Sequence, residues 1–336
     1  MEKPNNKISF ESRMASRLLI TGGSGFIGSH LLPFIPEDFE TVLLTSRTAG
    51  AFRQLPSGHT LVVHGDISRQ GAWQNEIGPC DSVIHMAVYH HARELDAAEM
   101  AYIDAVNISG MNHLIKALSA SPPKRFIYLS SVKVSEWEKL DDIDKSSFSW
   151  TYARSKAQAE KSLEKWAKDN GVELIILRAA PVYGRGNVAN LGELFAQVAQ
   201  KKFKFIGSGE QRKSLCSVEN LVAILIYLLQ VPGEGVAVRK LTLSDGAAYP
   251  VSQIVRWIAA AARVRPPMRI LNNDFWWAML GFGEKYFYNQ KTSRYFRLIR
   301  SWLTETVHDP DELTAMGLQM PYTTEEGIKR VFDKTI

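Results

Sequence analysis

Arg17-Leu18-Leu19-Ile20-Thr21-Gly22-Gly23-Ser24-Gly25-Phe26-Ile27-Gly28-Ser29-His30-Leu31-Leu32 reads as an apolar strand, a glycine-rich turn and the opening of a helix. Gly22, Gly25 and Gly28 recur at every third position, and Gly23, Gly25 and Gly28 also satisfy G-x-G-x-x-G. Glycines at such positions allow a tight turn, a close approach of backbone to a pyrophosphate, and tight packing of helix on strand. The helix N-terminus adds free N–H groups and the positive end of its dipole. Alone the motif is weak, because any strand–helix turn can carry glycines. Set between an apolar strand and a helix, it points to a dinucleotide cofactor held by Gly22, Gly25, Phe26, Ile27 and Gly28.

The strands that follow extend the pattern. Thr41-Val42-Leu43-Leu44-Thr45, Leu61-Val62-Val63-His64, Ser82-Val83-Ile84-His85-Met86-Ala87 and Lys124-Arg125-Phe126-Ile127-Tyr128-Leu129 are short apolar runs separated by helical stretches. This alternation predicts an α/β fold: a Rossmann-type doubly wound parallel sheet with a smaller C-terminal substrate-binding lobe. The expected division is a loose leader at 1–14, a cofactor domain at 15–184 and a substrate lobe at 185–336, with some of the later chain returning to the sheet. After the second strand stand Ser46 and Arg47, with no carboxylate before Asp66. An acidic residue there holds the ribose 2′-OH of NAD, whereas an arginine accommodates a 2′-phosphate. Arg47 therefore favours NADP, with NAD as the alternative if Arg47 is only a solvated loop charge.

At 336 residues with a net charge of +5, the chain is long enough for a large core and mildly basic. That charge suits an anionic cofactor or substrate and is too diffuse to indicate nucleic acid. Two cysteines, Cys80 and Cys216, give neither a disulfide framework nor a cysteine zinc site. No apolar run reaches the ~18 residues of a membrane span, and the first residues lack a hydrophobic signal region, so a cytoplasmic protein is expected. His85, alone at a strand end, reads as a packed or hydrogen-bonded residue rather than a metal ligand. His90 and His91 lie in the next loop, either beside the nicotinamide or on the surface.

A long amphipathic helix is expected from Asp96 to Leu118, containing Asn107. The fifth strand ends in Ser130-Ser131, at the carboxyl edge where such sheets bind ligands. A polar loop from Glu136 to Ser149 leads into a helix carrying Tyr152 and Lys156, which are one turn apart and share a face. A tyrosine, with a reference pKa near ~10, exchanges protons poorly at neutral pH, and a neighbouring ammonium is expected to lower that value. Tyr-x-x-x-Lys often marks only a solvated helix face, but after a Ser-Ser strand end and a glycine turn it points to acid–base chemistry.

Together these residues resemble the extended short-chain dehydrogenase/reductase family. The likeness rests on Thr21 to Gly28, Gly65-Asp66-Ile67, Ile84-His85-Met86-Ala87, Val106 to Gly110, Ser130-Ser131, Tyr152 with Lys156, and Leu177 to Gly184. It implies Ser131, Tyr152 and Lys156 as a catalytic set, Asp66 and Ile67 at the adenine, Met86 and Ala87 along the cofactor channel, and Asn107 in support. Within the family the chain is most similar to bacterial nucleotide-sugar epimerases, dehydratases and reductases, and above all to those reducing UDP-linked 4-keto-6-deoxy-N-acetyl sugars. That likeness places His90, Ser131, Arg212 and Lys213 at the substrate, the last two on its diphosphate or else as a solvated basic pair. Pro181 departs from the substrate-contacting asparagine of UDP-galactose epimerase-like members, and Lys213 replaces an arginine, giving charge without the bidentate fork. A homodimer through helices 96–118 and 151–170 is implied by the same resemblance.

The pieces after Gly184 are helices at 191–201, 218–230 and 251–262, strands at 203–206 and 240–243, and a terminal helix at 324–333. They are expected to be too few for a core of their own and to pack over the sheet edge. Residues 274–303 interleave Phe275, Trp276, Trp277, Tyr286, Tyr288 and Trp302 with Lys285, Lys291, Arg294, Arg297 and Arg300. This suits a helical cap on the lobe, an interfacial segment giving peripheral contact with an anionic membrane, or a site for a long lipophilic substrate. The functions left open are a 4-keto nucleotide-sugar reductase, a redox-neutral epimerase, a 3β-hydroxysteroid dehydrogenase-like enzyme, and a catalytically dead dinucleotide sensor.

Overall fold

The structure is a computed structural model that describes residues 16–47, 52–90, 97–141, 150–188, 191–203, 205–206, 208–233, 238–267, 269–270 and 304–333. Seven strands form one parallel sheet: β1 (Ser16–Thr21), β2 (Phe39–Thr45), β3 (Thr60–His64), β4 (Ser82–His85), β5 (Arg125–Ser131), β6 (Glu173–Ala179) and β7 (Val238–Leu243). Their spatial order is β7-β6-β5-β4-β1-β2-β3, so the chain winds outward from β1 to β3 and then crosses back to start again at β4. The reversal lies between β1 and β4, where the register pairs Thr21 with His85 at the carboxyl ends. Open sheets of this kind bind ligands at such a switch point.

Both faces of the sheet are covered, which is why its strands are apolar runs rather than alternating ones. Along β1, Leu18 and Ile20 face a core shared with α1 (Phe26–Leu31) and the later helix Val218–Gln230. Leu19 faces the opposite core, with Met111, Leu114, Leu163 and Trp166 from the other helical layer. Arg125, buried at the start of β5, donates through Nη1 to the carbonyls of Leu228 and Val231, both at 2.7 Å, and its Nε donates to Glu173 at 2.8 Å. It thereby satisfies the exposed carbonyl end of the helix Val218–Gln230 and fixes that helix against the sheet.

The expected helix over 96–118 is broken into α2 (Ala97–Asp104), a wide π-helical turn (Ala105–Ser109) and α3 (Gly110–Leu118). A π-turn accommodates an extra residue and is common at functional sites. Here it carries Asn107, which is 3% exposed. The loop expected from Glu136 instead begins inside α4 (Lys133–Glu138), and 142–149 fall outside the described residues. The helix α5 (Thr151–Asn170) ends at Gly171, whose φ of 69° is the left-handed stop that glycine permits.

Beyond Gly184, α6 (Leu191–Ala199), α7 (Val218–Gln230), α8 (Val251–Ala261) and α9 (Thr324–Phe332) alternate between two fates. Helix α7 and strand β7 rejoin the main sheet assembly. By contrast, α6, α8 and α9 form a third apolar cluster around Leu194, Phe195, Ile254, Ile258 and Ile328. The expectation that these pieces are too few for a core of their own is therefore corrected. Aromatic stacking of Phe195 between Tyr183 and Phe332, at 5.8 and 6.0 Å, supplies area that short helices alone would lack. Asp245 joins this cluster to the sheet. It accepts from Ser217 N and Asn220 Nδ2 at 2.7 Å, and from the Tyr183 hydroxyl at 2.8 Å.

Candidate active site

The glycine turn folds as its sequence demands, and it settles which glycines are constrained. Gly22 has φ +75°, and a Cβ there would lie 2.6 Å from Ala87 N. A Cβ on Gly28 would collide with the Gly23 carbonyl, whereas one on Gly23 would meet nothing closer than 3.6 Å. The spacing Gly22-Gly25-Gly28 is thus the working one. Gly22→Ala is expected to lower the melting temperature and abolish binding in an NADPH fluorescence titration, since a left-handed non-glycine costs about 1–2 kcal/mol before any clash. Gly23→Ala should bind as the parent does. Equal loss in both variants would contradict this reading of the turn.

At the end of β2, Arg47 lies against this turn. Its Nη1 donates to the Ser24 carbonyl at 3.2 Å and its backbone N–H to Thr45 Oγ1 at 3.1 Å. An exposed cation is thereby held beside backbone that can receive a phosphate-bearing cofactor. Asp66 accepts from Ser68 N at 2.9 Å, in a turn after β3, and Ile67 is buried, its carbonyl contacting His113 Nδ1. Met86 and Ala87 follow β4, their N–H groups donating to the Thr21 carbonyl and hydroxyl. His85 contacts the same Thr21 hydroxyl at 2.7 Å and stacks on Tyr128; burial drives its pKa down to about 3, so the ring is neutral. These residues fit a dinucleotide: a cradle that only glycine leaves open, a helix start with no side-chain cap, and a cation beyond β2.

The carboxyl ends of β5 and β6 meet α5. Asn107 accepts from Tyr89 N at 2.9 Å and donates to Tyr89 O and to Ser155 Oγ, tying the loop after β4 to α5. Tyr152 is hydrogen-bonded to the Ser131 side chain, and the His90 ring lies 6.2 Å from it. His91 lies outside the described residues. Burial pushes the Tyr152 pKa up to about 12, partly opposed by the Ser131 bond. The expected lowering of this pKa by Lys156 is therefore corrected. Lys156, itself 2% exposed, donates from Nζ to the Leu129 carbonyl at 2.7 Å and sits 4.4 Å from the centre of the Tyr128 ring. Burial brings its own pKa down to about 7, with the Glu160 carboxylate opposing the fall.

Glu160 is a residue that reading Tyr152 and Lys156 as an isolated pair misses. It lies one further turn along the same face of α5, is 2% exposed, and accepts from Ser130 Oγ and from Arg178 Nη2 at 2.6 Å. Arg178 in turn forks onto Glu138 of α4 at 2.8 and 2.9 Å. The spacing Tyr152, Lys156, Glu160 was visible in the sequence and is the signal that could have found it. On the lobe side, Arg212 is exposed and paired with Glu305 at 3.0 Å, whereas Lys213 is partly buried. Burial and the neighbouring Lys133 lower the Lys213 pKa to about 8. Among the described residues no cluster could hold a metal ion and no helix is long and apolar enough to cross a membrane. The aromatic–basic stretch 274–303 lies outside the described residues.

The chain is similar to known proteins in sequence and in fold. Over 327 residues the chain is 28% identical to a UDP-glucose 4-epimerase of Vibrio cholerae, covering 95% of both chains. It is 26% identical over 332 residues to an N-acetyl-alpha-D-glucosaminyl-diphospho-ditrans,octacis-undecaprenol 4-epimerase of Escherichia coli O157:H7, covering 94% of each. The solved structure of MoeE5 in complex with UDP-glucuronic acid and NAD superposes with a TM-score of 0.69 at 19% identity, over 94% of this chain and 98% of that one. The family model for the NAD dependent epimerase/dehydratase family matches residues 18–242. The sheet, the glycine turn and the Ser131–Tyr152–Lys156 face thus stand within a matched span, and the chain belongs to the NAD dependent epimerase/dehydratase family, as an extended short-chain dehydrogenase/reductase.

Proposed function

We propose that this protein is an NADP-dependent reductase acting on the 4-keto group of a nucleotide sugar, with a UDP-linked 4-keto-6-deoxy-N-acetyl sugar as the favoured substrate. The observation that carries the reading is the pairing of Arg47 on the glycine turn with a tyrosine kept protonated beside Ser131. When bound, the reduced nicotinamide supplies a hydride to the carbonyl carbon. Tyr152 gives its phenolic proton to the carbonyl oxygen, and Ser131 donates a hydrogen bond to the charge growing there. A phenol with its pKa near 12 is fully protonated at neutral pH, which suits a proton donor. In this reading Lys156 holds the cofactor ribose, Asp66 and Ile67 hold the adenine, and Met86, Ala87 and Asn107 line and support the channel. Arg212 and Lys213 face the substrate diphosphate, and His90, near Tyr152, borders the sugar.

A redox-neutral 4-epimerase is the second reading, favoured by the two relatives matched over nearly the whole chain, both named as 4-epimerases. The cofactor separates the two, because a reductase spends its cofactor and an epimerase recycles it. Arg47→Ala is expected to weaken NADPH by roughly tenfold or more and NADH little, since a charge-assisted contact to the 2′-phosphate is lost. Fluorescence titration of both cofactors checks this, and equal effects would remove the 2′-phosphate argument and favour the epimerase. The protein is further proposed to work in the cytoplasm as a homodimer through the α2–α3 and α5 helices.

A further inference from the structure

Four charged or chargeable side chains from three distant parts of the chain meet beside Ser131. Lys133 opens α4 two residues after Ser131, and its backbone N–H donates to Ser131 Oγ at 3.3 Å. Its Nζ lies 3.9 Å from Glu136 Oε2 and 5.5 Å from the centre of the Trp150 ring, at the start of α5. Glu136 Oε1 contacts His308 Nε2 at 3.0 Å, and His308 N–H donates to Ser214 Oγ at 2.9 Å. Lys213 is held in this corner by backbone pairing with Tyr249 and Thr306. It feels both Lys133 and Glu136, and the Glu136 carboxyl is held below its usual range by His308 and the two lysines despite its burial.

The charges do not balance. The two ammonium groups share the Glu136 carboxylate, the Glu305 carboxylate that also acts on Lys213 is paired with Arg212 at 3.0 Å, and the two lysines repel each other enough to help depress Lys213. Bringing like charges together in a partly buried corner costs free energy unless a counter-charge arrives. Glu136 is already shared among Lys133, Lys213 and His308. Lys133 is half exposed, so it is open to a ligand while Trp150 and Glu136 limit where its Nζ can lie.

We propose that Lys133 and Lys213 close from opposite sides on one anionic oxygen group of the substrate, with Glu136, held by His308, as the internal anion that this group displaces from the Lys133 ammonium. This deepens the nucleotide-sugar reading and rests on it for the identity of the ligand. The role of Lys213 belongs to that reading; the addition is Lys133 and the Glu136–His308 pair. The shared chemistry is an acidic oxygen cluster, carried either by the diphosphate or by a carboxylate on the sugar. Lys133 stands close to Ser131 and so reaches the sugar-proximal end of that group. Discrimination among diphosphate-linked sugars would then depend on Lys133.

The test is calorimetric titration of the full chain with inorganic diphosphate, UDP, UDP-glucose and UDP-glucuronate, in the parent, Lys133→Met and Glu136→Gln. Loss of a charge-assisted contact predicts affinity on the order of tenfold lower in Lys133→Met. Glu136→Gln removes the competing negative charge and should tighten anion binding. Opposite signs in two neighbouring variants distinguish a clamp from local misfolding. A loss shared by inorganic diphosphate, UDP and both sugars assigns the clamp to the diphosphate. A loss confined to UDP-glucuronate assigns it to a sugar carboxylate. Parent-like binding by Lys133→Met, weakening in both variants, or a parent that binds none of these anions would each overturn the clamp. If the parent binds inorganic diphosphate but no UDP compound, and Lys133→Met loses that binding, the clamp stands and the nucleotide reading falls.

Discussion

Tyr152→Phe should lower turnover on the order of 10³-fold while leaving NADPH binding at its parent value. The substitution removes one oxygen, the only group on that ring able to pass a proton, and general acid catalysis contributes about 10²–10⁴ in rate. It leaves the rest of the face intact: Lys156 is held by the Leu129 carbonyl and the Tyr128 ring, neither of which depends on the phenol. Ser131 loses one partner, a net change of about 1 kcal/mol, too little to unfold a domain of this size. Turnover and cofactor affinity therefore separate, as they would not in a variant that merely disturbs the fold. Stopped-flow or steady-state loss of NADPH absorbance, beside a fluorescence titration, checks both. A variant retaining a near-parental rate would end the proposed role of Tyr152.

The largest effect on stability is expected at Arg178. Its side chain is 9% exposed and satisfies Glu160, which is 2% exposed, as well as Glu138 and Ser135. Arg178→Met keeps much of the volume but leaves Glu160 buried with, among the described residues, Ser130 as its one remaining donor. Removing one partner from a buried ion pair costs about 3–5 kcal/mol, because the remaining charge is stranded. Glu138 is 46% exposed, so Glu138→Gln should cost only about 0–1 kcal/mol. Chemical denaturation of the two variants against the parent separates these outcomes. Similar midpoints for both would show that the network carries little of the stability. Activity should fall with Arg178→Met as well, since Glu160 supports Ser130 beside Ser131 and faces Lys156 along α5.

Much of this architecture was legible because the determining residues are close in sequence. Strand–glycine–helix at 17–32 requires only neighbours to interpret, and the apolar runs of a sheet buried on both faces stand out without alignment. Helix α7 coincides with its expected 218–230 range, since Ser217 caps it through Asn220 N at 3.1 Å. The π-turn at Ala105–Ser109 was not legible, because the apolar period stays close to that of an ordinary helix and the driving force is tertiary: Asn107 must reach Tyr89 and Ser155. The third core was missed for a similar reason, as its stacking of Phe195 on Phe332 joins residues 137 apart. Within the site, residues within one strand or helix were readable, whereas Glu136 with His308, separated by 172 positions, emerges only when the lobe is folded. The Tyr152 pKa failed as an expectation because sequence spacing reveals a neighbouring charge and not the burial that outweighs it.

Absorbance at the reduced-nicotinamide band, followed with purified protein, NADPH or NADH, and a panel of nucleotide-linked 4-keto sugars, tests the central claim most directly. The account predicts loss of NADPH in stoichiometric amounts with one UDP-linked 4-keto sugar, and little loss of NADH. Isomerised sugar with no net consumption of either cofactor would contradict it and establish the epimerase.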